Sequence, residues 1–178
     1  GINEKSKILE IASNDGSFIE ILKKKFNSFA LGVDPAKNLA KNANSKKIFT
    51  INDYFSQKLS YFIKKKFSKF DFIFARNVIA HIKNPNTIFK GVEQLLRKDG
   101  VFILEVPHLL NILKENQYDN IFHEHNGFHS LQSIKYLCKL NKLKIFDVDL
   151  IDSQGGSLRC YIVKLKSEKK ISRKIKNF

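Results

Sequence analysis

The stretch Lys7-Ile8-Leu9-Glu10-Ile11-Ala12-Ser13-Asn14-Asp15-Gly16 decides the fold, read together with Gly32-Val33-Asp34-Pro35 further along the chain. A short apolar run ends in a polar loop with one glycine, a helix-patterned segment follows, and a second apolar run stops at an aspartate. That order opens a nucleotide-binding βαβ unit. A dinucleotide fingerprint wants three glycines in this loop, so that bare backbone N–H groups can approach a pyrophosphate. Here there is one, and Asp15 adds negative charge at that place. The loop argues against NAD or ATP.

A ligand with a ribose, no phosphate and a cationic centre suits the loop better, and S-adenosylmethionine is the common cofactor of that kind. Asp34, at the mouth of the second strand, is expected to accept hydrogen bonds from both ribose hydroxyls. A βα turn of some other doubly wound protein is the plainer reading of this segment taken alone.

The 178 residues suffice for one well-buried α/β core and fall short of two ordinary domains. Residues 1–166 are expected to form that domain. Residues 167–178 are expected to be a basic tail, or the start of a linker leading away from it, since the last fifteen residues carry seven basic groups and one acidic. Sixteen phenylalanines supply most of the aromatic volume, and the lack of methionine, even at position 1, suits an excised module.

Thirty-two Lys and Arg against seventeen Asp and Glu leave a formal charge of +15, which attracts polyanions at low salt. Yet Lys23-Lys24-Lys25 and Lys64-Lys65-Lys66 fall near helix ends, where cations complement the dipole and stay solvated. A nucleic-acid partner is therefore not expected. Cys138 and Cys160 lack metal-type or redox-type spacing and read as reduced, partly buried thiols of a cytoplasmic protein. No apolar run approaches a membrane span, and the N-terminus lacks the apolar core of a signal peptide, so a soluble chain is expected.

Apolar runs at 7–12, 30–33, 47–51, 70–75 and 101–106 alternate with helix-patterned segments, the clearest being 87–97. This predicts a parallel sheet with helices on both faces. Asp99-Gly100 is expected to end that helix and Pro107 to close the fifth strand, while 130–140 reads as a helix capped by Ser130. The runs 144–150 and 158–165 are joined by a link too short for a crossover, so they form an antiparallel pair. A seven-stranded, mostly parallel sheet ending in an antiparallel hairpin is the Rossmann-like pattern of the class I S-adenosylmethionine methyltransferase fold.

In such a sheet, ligands bind outside the carboxyl ends of the strands. Gly16, Asp34 and Asp53 follow the first three strands and mark the cofactor side. All five histidines follow strands four and five: His81, then His108, His123, His125 and His129. Imidazole titrates near neutral pH and serves as a general base without large tuning. A metal site at His123 and His125, with His108 or His129 as third ligand, is set aside because no supporting partners can be identified, and no metal is expected. His129, beside Ser130, reads as satisfying backbone groups at a helix start. Glu124 is expected to orient His125 and raise its basicity. Asn77 and His81 share a face if the chain turns helical after strand four. Gly155-Gly156-Ser157, with Arg159 beyond, reads equally as a phosphate site or as a flexible hairpin turn.

These segments resemble a known family. The sequences around Glu10–Phe18, Gly32–Pro35, Ala75–Ile82, Glu105–Pro107, His123–His125 and Gly155–Arg159 are similar, in order and spacing, to S-adenosylmethionine-dependent C-methyltransferases of nucleotide-linked deoxysugars. The resemblance runs from about residue 7 to 165. It implies methylation of the carbon next to the ketone of a nucleoside-diphosphate 4-keto-6-deoxysugar, with His125 as base and Glu124 beside it. It implies that Glu10, Ala12, Asn14, Gly16, Asp34 and Pro35 hold the cofactor, together with Asp53, Tyr54, Ala75 and Arg76; for Arg76 an ion pair is the plainer alternative. It implies that Asn77, His81, Phe122, Gly156 and Arg159 hold the sugar nucleotide. The family pattern has tyrosine where this chain has Phe122 and histidine where it has Gln154. Its members also carry an N-terminal zinc domain and a C-terminal nucleotide-gripping domain, which these residues do not include.

Three other readings stand beside it: an RNA-directed methyltransferase, supported by charge alone; a small-molecule O-methyltransferase, for which the same histidines suffice; and a cofactor-binding module without activity.

Overall fold

The computed structural model describes residues 1–176. Its strands are β1 (Lys7–Ile11), β2 (Phe29–Asp34), β3 (Thr50–Asn52), β4 (Phe70–Arg76), β5 (Leu96–Pro107), β6 (Leu143–Ile151) and β7 (Ser157–Lys164). Among the described residues they make one seven-stranded sheet in the order β3-β2-β1-β4-β5-β7-β6. The first five strands run parallel, and β7 lies between β5 and β6, antiparallel to both. This is the class I methyltransferase sheet expected from the spacing of apolar runs.

Helices α1 (Ser17–Phe26) and α2 (Lys37–Ser45) cover one face, burying Ile19, Leu22 and Ala43 against Ile8, Ala30 and Ile103. On the other face lie α3 (Gln57–Phe67), α4 (Asn86–Leu95) and α6 (Leu131–Leu140), while α5 (Leu109–Lys114) sits in the long connection after β5. The apolar stripe of α4 is fully inside, with Phe89 edge-on to Phe102 at 5.8 Å. Burying a side chain of this size stabilises the fold by about 1.5–3 kcal/mol. Ser56 caps α3 by accepting from the Leu59 N–H, and Ser130 caps α6 with a reciprocal bond to Ser133.

Three boundaries differ from the sequence reading. The third strand is only three residues long, because Lys47 takes a left-handed φ of 60° and breaks the run expected from residue 47. Helix α4 ends at Leu95, so Asp99-Gly100 lies inside β5, where pairing with β4 slips from Phe70–Leu96 to Phe72–Val101. A side chain at Gly100 would sit 2.9 Å from the Phe70 carbonyl, so the slip is possible only with glycine there. The basic tail does not lead away: Ser172 N–H donates to the Phe146 carbonyl at 2.7 Å, Lys174 pairs with Asp149 at 2.7 Å, and Ile175 is buried. Asn177 and Phe178, the end of the expected tail, lie outside the described residues.

Cys138 and Cys160 are free and buried, and burial pushes the Cys160 thiol up to about 12. No described helix is long and apolar enough to cross a membrane.

Candidate active site

The loop between β1 and α1 is held by β2. Asp34 is 5% exposed, and its Oδ2 accepts from the Asn14 N–H at 2.8 Å while Oδ1 accepts from the Ala36 N–H at 2.9 Å. Ala12 and Asn14 take left-handed φ values of 56° and 54°, and Gly16 follows at 80° as the N-cap of α1. A side chain at Gly16 would meet Ile48 Cγ2 at 2.9 Å, which accounts for the loop's single glycine. Asp15 is engaged within the loop: it accepts from the Ser17 hydroxyl at 2.6 Å and the Ser17 N–H at 3.1 Å.

Beside this loop lies a cavity of about 360 Å³ lined by Ile11, Ala12, Val33, Pro35, Tyr54, Val78 and His81. Its apolar walls suit an adenine, and Asp34 keeps one free lone-pair site on each oxygen for ribose hydroxyls. The residues present are of a kind that fits S-adenosylmethionine: Ala12, Pro35 and Tyr54 line the cavity, and Asp34, at the end of β2 beside Pro35, offers the acceptors.

The connection between β5 and α6 closes on itself, because His108 and His129 pair as an isolated bridge and the Leu109 N–H donates to the His129 carbonyl at 2.9 Å. The loop so formed is pressed onto the segment after β4: the Asn126 N–H donates to the Ala80 carbonyl at 2.7 Å, and Asn126 Nδ2 to the His81 carbonyl at 2.9 Å. His81 and His125 are thereby brought to a ring separation of 4.9 Å, and Phe122 packs on His125 at 4.2 Å. His125 Nδ1 lies 2.7 Å from the Asn120 carbonyl, and His81 Nδ1 lies 3.2 Å from the Glu124 carbonyl. A carbonyl oxygen only accepts, so each ring carries its proton on Nδ1 and leaves Nε2 as the basic atom.

His81, His125, Asn77, Gln117, Asp119, Asn120, Phe122 and Gln154 line a second cavity of about 600 Å³. His81 lines both cavities. Asn77, at φ 52° after β4, holds its Oδ1 buried without a partner. In a chain of net charge +15, the lining of this cleft contains no lysine or arginine. Its polar groups are amides, imidazoles and one carboxylate, an assortment suited to hydroxyls and a carbonyl and not to a phosphate.

Several expected site residues are placed elsewhere. Glu124 does not face His125; its carboxylate lies 3.9 Å from His123 Nε2, on rings and chains well exposed to water. Neighbours in an irregular segment point apart, and the orienting group is instead the Asn120 carbonyl. Arg76 donates from Nε and Nη2 to Glu10 Oε1 at 3.1 and 2.7 Å and lies over the Phe18 ring. Arg159 donates from Nε to Glu105 Oε1 at 2.7 Å. Both arginines line a separate cavity on the α1 face, because Arg76, Glu105 and Arg159 are directly opposite one another in register. Gly156, at φ 96°, forms the hairpin turn and accepts from the His108 N–H. Ala75 is packed inside the sheet and Asp53 is exposed.

Glu10 is buried beside Arg76 with Oε2 unpartnered, and desolvation drives its carboxyl up to about 7 against the pull of the guanidinium. Burial holds His108 and His129 below the usual imidazole range. Among the described residues, no group of three or more His, Cys, Asp and Glu is gathered as a metal site. Gln117, Asp119 and Asn120 went unread in the sequence, where nothing distinguishes them from ordinary loop residues.

A family model described as a methyltransferase domain matches residues 2–147. The C-methyltransferase NovU of Streptomyces niveus is 35% identical over 158 residues, covering 89% of this chain and 37% of NovU. Phosphoethanolamine N-methyltransferase of Plasmodium falciparum is 27% identical over 111 residues, covering 58% of this chain and 40% of that enzyme. The chain thus spans well under half the length of the curated relatives it matches. Among solved structures, magnesium protoporphyrin IX methyltransferase (ChlM) from Synechocystis PCC 6803 with bound SAH superposes with a TM-score of 0.68 at 13% identity, covering 90% of this chain and 74% of that one.

Proposed function

The chain belongs to the methyltransferase-domain family, whose methyl donor is S-adenosylmethionine, and from that premise we propose that it methylates carbon. The acceptor is the carbon next to the ketone of a nucleoside-diphosphate 4-keto-6-deoxysugar, and His125 is the base. NovU, a relative named as a C-methyltransferase, supports the carbon chemistry. The observation that carries the reading is His125 Nδ1 on the Asn120 carbonyl at 2.7 Å, which leaves Nε2 basic in a cleft that shares His81 with the cavity proposed for the cofactor.

When bound, S-adenosylmethionine supplies a methyl group already electrophilic on its sulfonium. What remains for the chain is to make a carbon nucleophile and hold it. A ketone acidifies its neighbouring C–H, and His125 Nε2 takes that proton while the electron pair passes into the enolate. Asn77 and His81, on the β4 side, hold the sugar, and Phe122 packs against the His125 ring at 4.2 Å. Alignment of the two reactants contributes as much as roughly 7–11 kcal/mol in well-oriented cases. Glu124 has no step in this scheme.

The test is proton–deuterium exchange into a nucleoside-diphosphate 4-keto-6-deoxysugar, followed by mass spectrometry. Wild type exchanges the α-proton and His125→Ala does not, while both bind S-adenosylhomocysteine equally. Undiminished exchange in His125→Ala would refute the assignment.

A further inference from the structure

We propose that Gln117 is a positioning residue that fixes the tautomer of His125, by tying the Asn120 turn to the β6–β7 hairpin at Gly155. The inference rests on His125 being the base, and it adds a residue that no sequence motif marks.

The Gln117 amide is fully engaged. Its Nε2 donates to the Gly155 carbonyl at 2.7 Å and to Glu115 Oε2 at 2.6 Å, and its Oε1 accepts from Asn120 Nδ2 at 2.9 Å. Both partners on the nitrogen side only accept, so this orientation of the amide is the one that satisfies every group. The Gln117 backbone holds the same turn, donating to the Ile112 carbonyl at 3.0 Å and accepting from the Asn120 N–H at 3.2 Å. Asn120 is thus gripped through its side chain and its N–H, and its remaining carbonyl is the acceptor for His125 Nδ1.

A second observation comes from the hairpin. Gly155 has φ 72°, and any side chain there would come within 2.6 Å of the Gln117 amide nitrogen and oxygen. Glycine at 155 leaves the space that Gln117 fills. The consequence is chemical. If the Asn120 carbonyl turns away, the imidazole loses the acceptor that holds its proton on Nδ1, and a share of molecules carries it on Nε2 instead. That tautomer presents a donor where a base is needed. Gln117, Asn120, Gln154 and Gly155 all line the cleft, so the same contacts that shape it also orient its base.

The experiment is ¹⁵N NMR of histidine-labelled full chain with S-adenosylhomocysteine added. Wild type is expected to show His125 as a single Nδ1–H tautomer. Gln117→Ala is expected to show averaged His125 nitrogen shifts, with the buried His108 and His129 unchanged. Asn120→Ala keeps the carbonyl but loses the same link, so it should shift His125 the same way, and the double variant should go no further than either single one. Exchange into the keto-sugar should fall about 10–100-fold in Gln117→Ala, with affinity for S-adenosylhomocysteine unchanged. Wild-type His125 shifts in both single variants would overturn the proposal. The tautomer is read without substrate, so a wild type inert toward keto-sugars counts against the proposed function while the role of Gln117 is still decided.

Discussion

Replacing Asp34 by Asn perturbs the carboxylate proposed for the ribose with almost no change in shape. The carboxylate is buried, with one backbone N–H on each oxygen, from Asn14 at 2.8 Å and Ala36 at 2.9 Å. Each oxygen has two lone-pair sites, so one per oxygen is left for a ribose hydroxyl. In the asparagine variant one oxygen becomes an NH₂ group and must face one of those backbone donors. The protein then loses one charge-assisted bond and one ribose acceptor together. Bonds to charged groups contribute about 1.5–3 kcal/mol each, so a stability loss of roughly 2 kcal/mol follows. The same energy in binding, at about 1.4 kcal/mol per decade, weakens S-adenosylhomocysteine roughly 10–100-fold. Asp34→Ala removes both acceptors and should lose more than the asparagine variant. Calorimetric titration gives the affinity and urea unfolding the stability. The 2′-deoxy ligand should lose less than the full ligand on the same substitution, since one of its bonds is already gone. Wild-type affinity for S-adenosylhomocysteine in both variants would refute the reasoning.

Other outcomes can be stated briefly. The Glu10 carboxyl is raised from 4.5 to about 7 by burial, so the fold binds an extra proton in that window and loses stability as pH rises through it. Glu10→Gln should be increasingly favoured over wild type in urea midpoint across that range, and parallel profiles would contradict the cause given. Gly16→Ala puts a Cβ at φ 80° against Ile48 and should cost about 1–3 kcal/mol, read as a lower Tm; an unchanged Tm would count against the strain argument. Arg159→Ala leaves the Glu105 carboxylate unpaired and should lower stability while KM for a nucleotide sugar stays put; a raised KM would return Arg159 to the substrate site.

The place of the candidate site was legible because its residues sit where strands end. Asp34, His81 and Asn77 follow β2 and β4, and an open parallel sheet puts its ligands there whatever the loops do. Arg76 and Arg159 show the limit. Both are near strand ends, yet their side chains go to the α1 face because β4, β5 and β7 align them with Glu105. That alignment depends on register, which includes the slip at Gly100, and no local pattern encodes it. Glu124 was misplaced for the opposite reason: adjacency in sequence means little in a segment without periodicity. Asn120 acts through its carbonyl, a group every residue has, so no choice of side chain could have marked it.

The sequence by itself determined the order of strands and helices, the antiparallel ending and the side of the sheet on which chemistry sits. These follow from hydrophobic period, caps and link lengths, all of which act over a few residues. Only the tertiary structure decided that His125 Nδ1 meets the Asn120 carbonyl, and that His81 lines both its cleft and the cavity beside the β1–α1 loop. Those facts rest on contacts such as His81 Nδ1 to the Glu124 carbonyl, forty-three residues apart in the chain, which exist only once the β5–α6 loop has docked on the segment after β4. A hydrogen bond of that kind is fixed by the sum of packing around it, and no short stretch of residues carries the information alone.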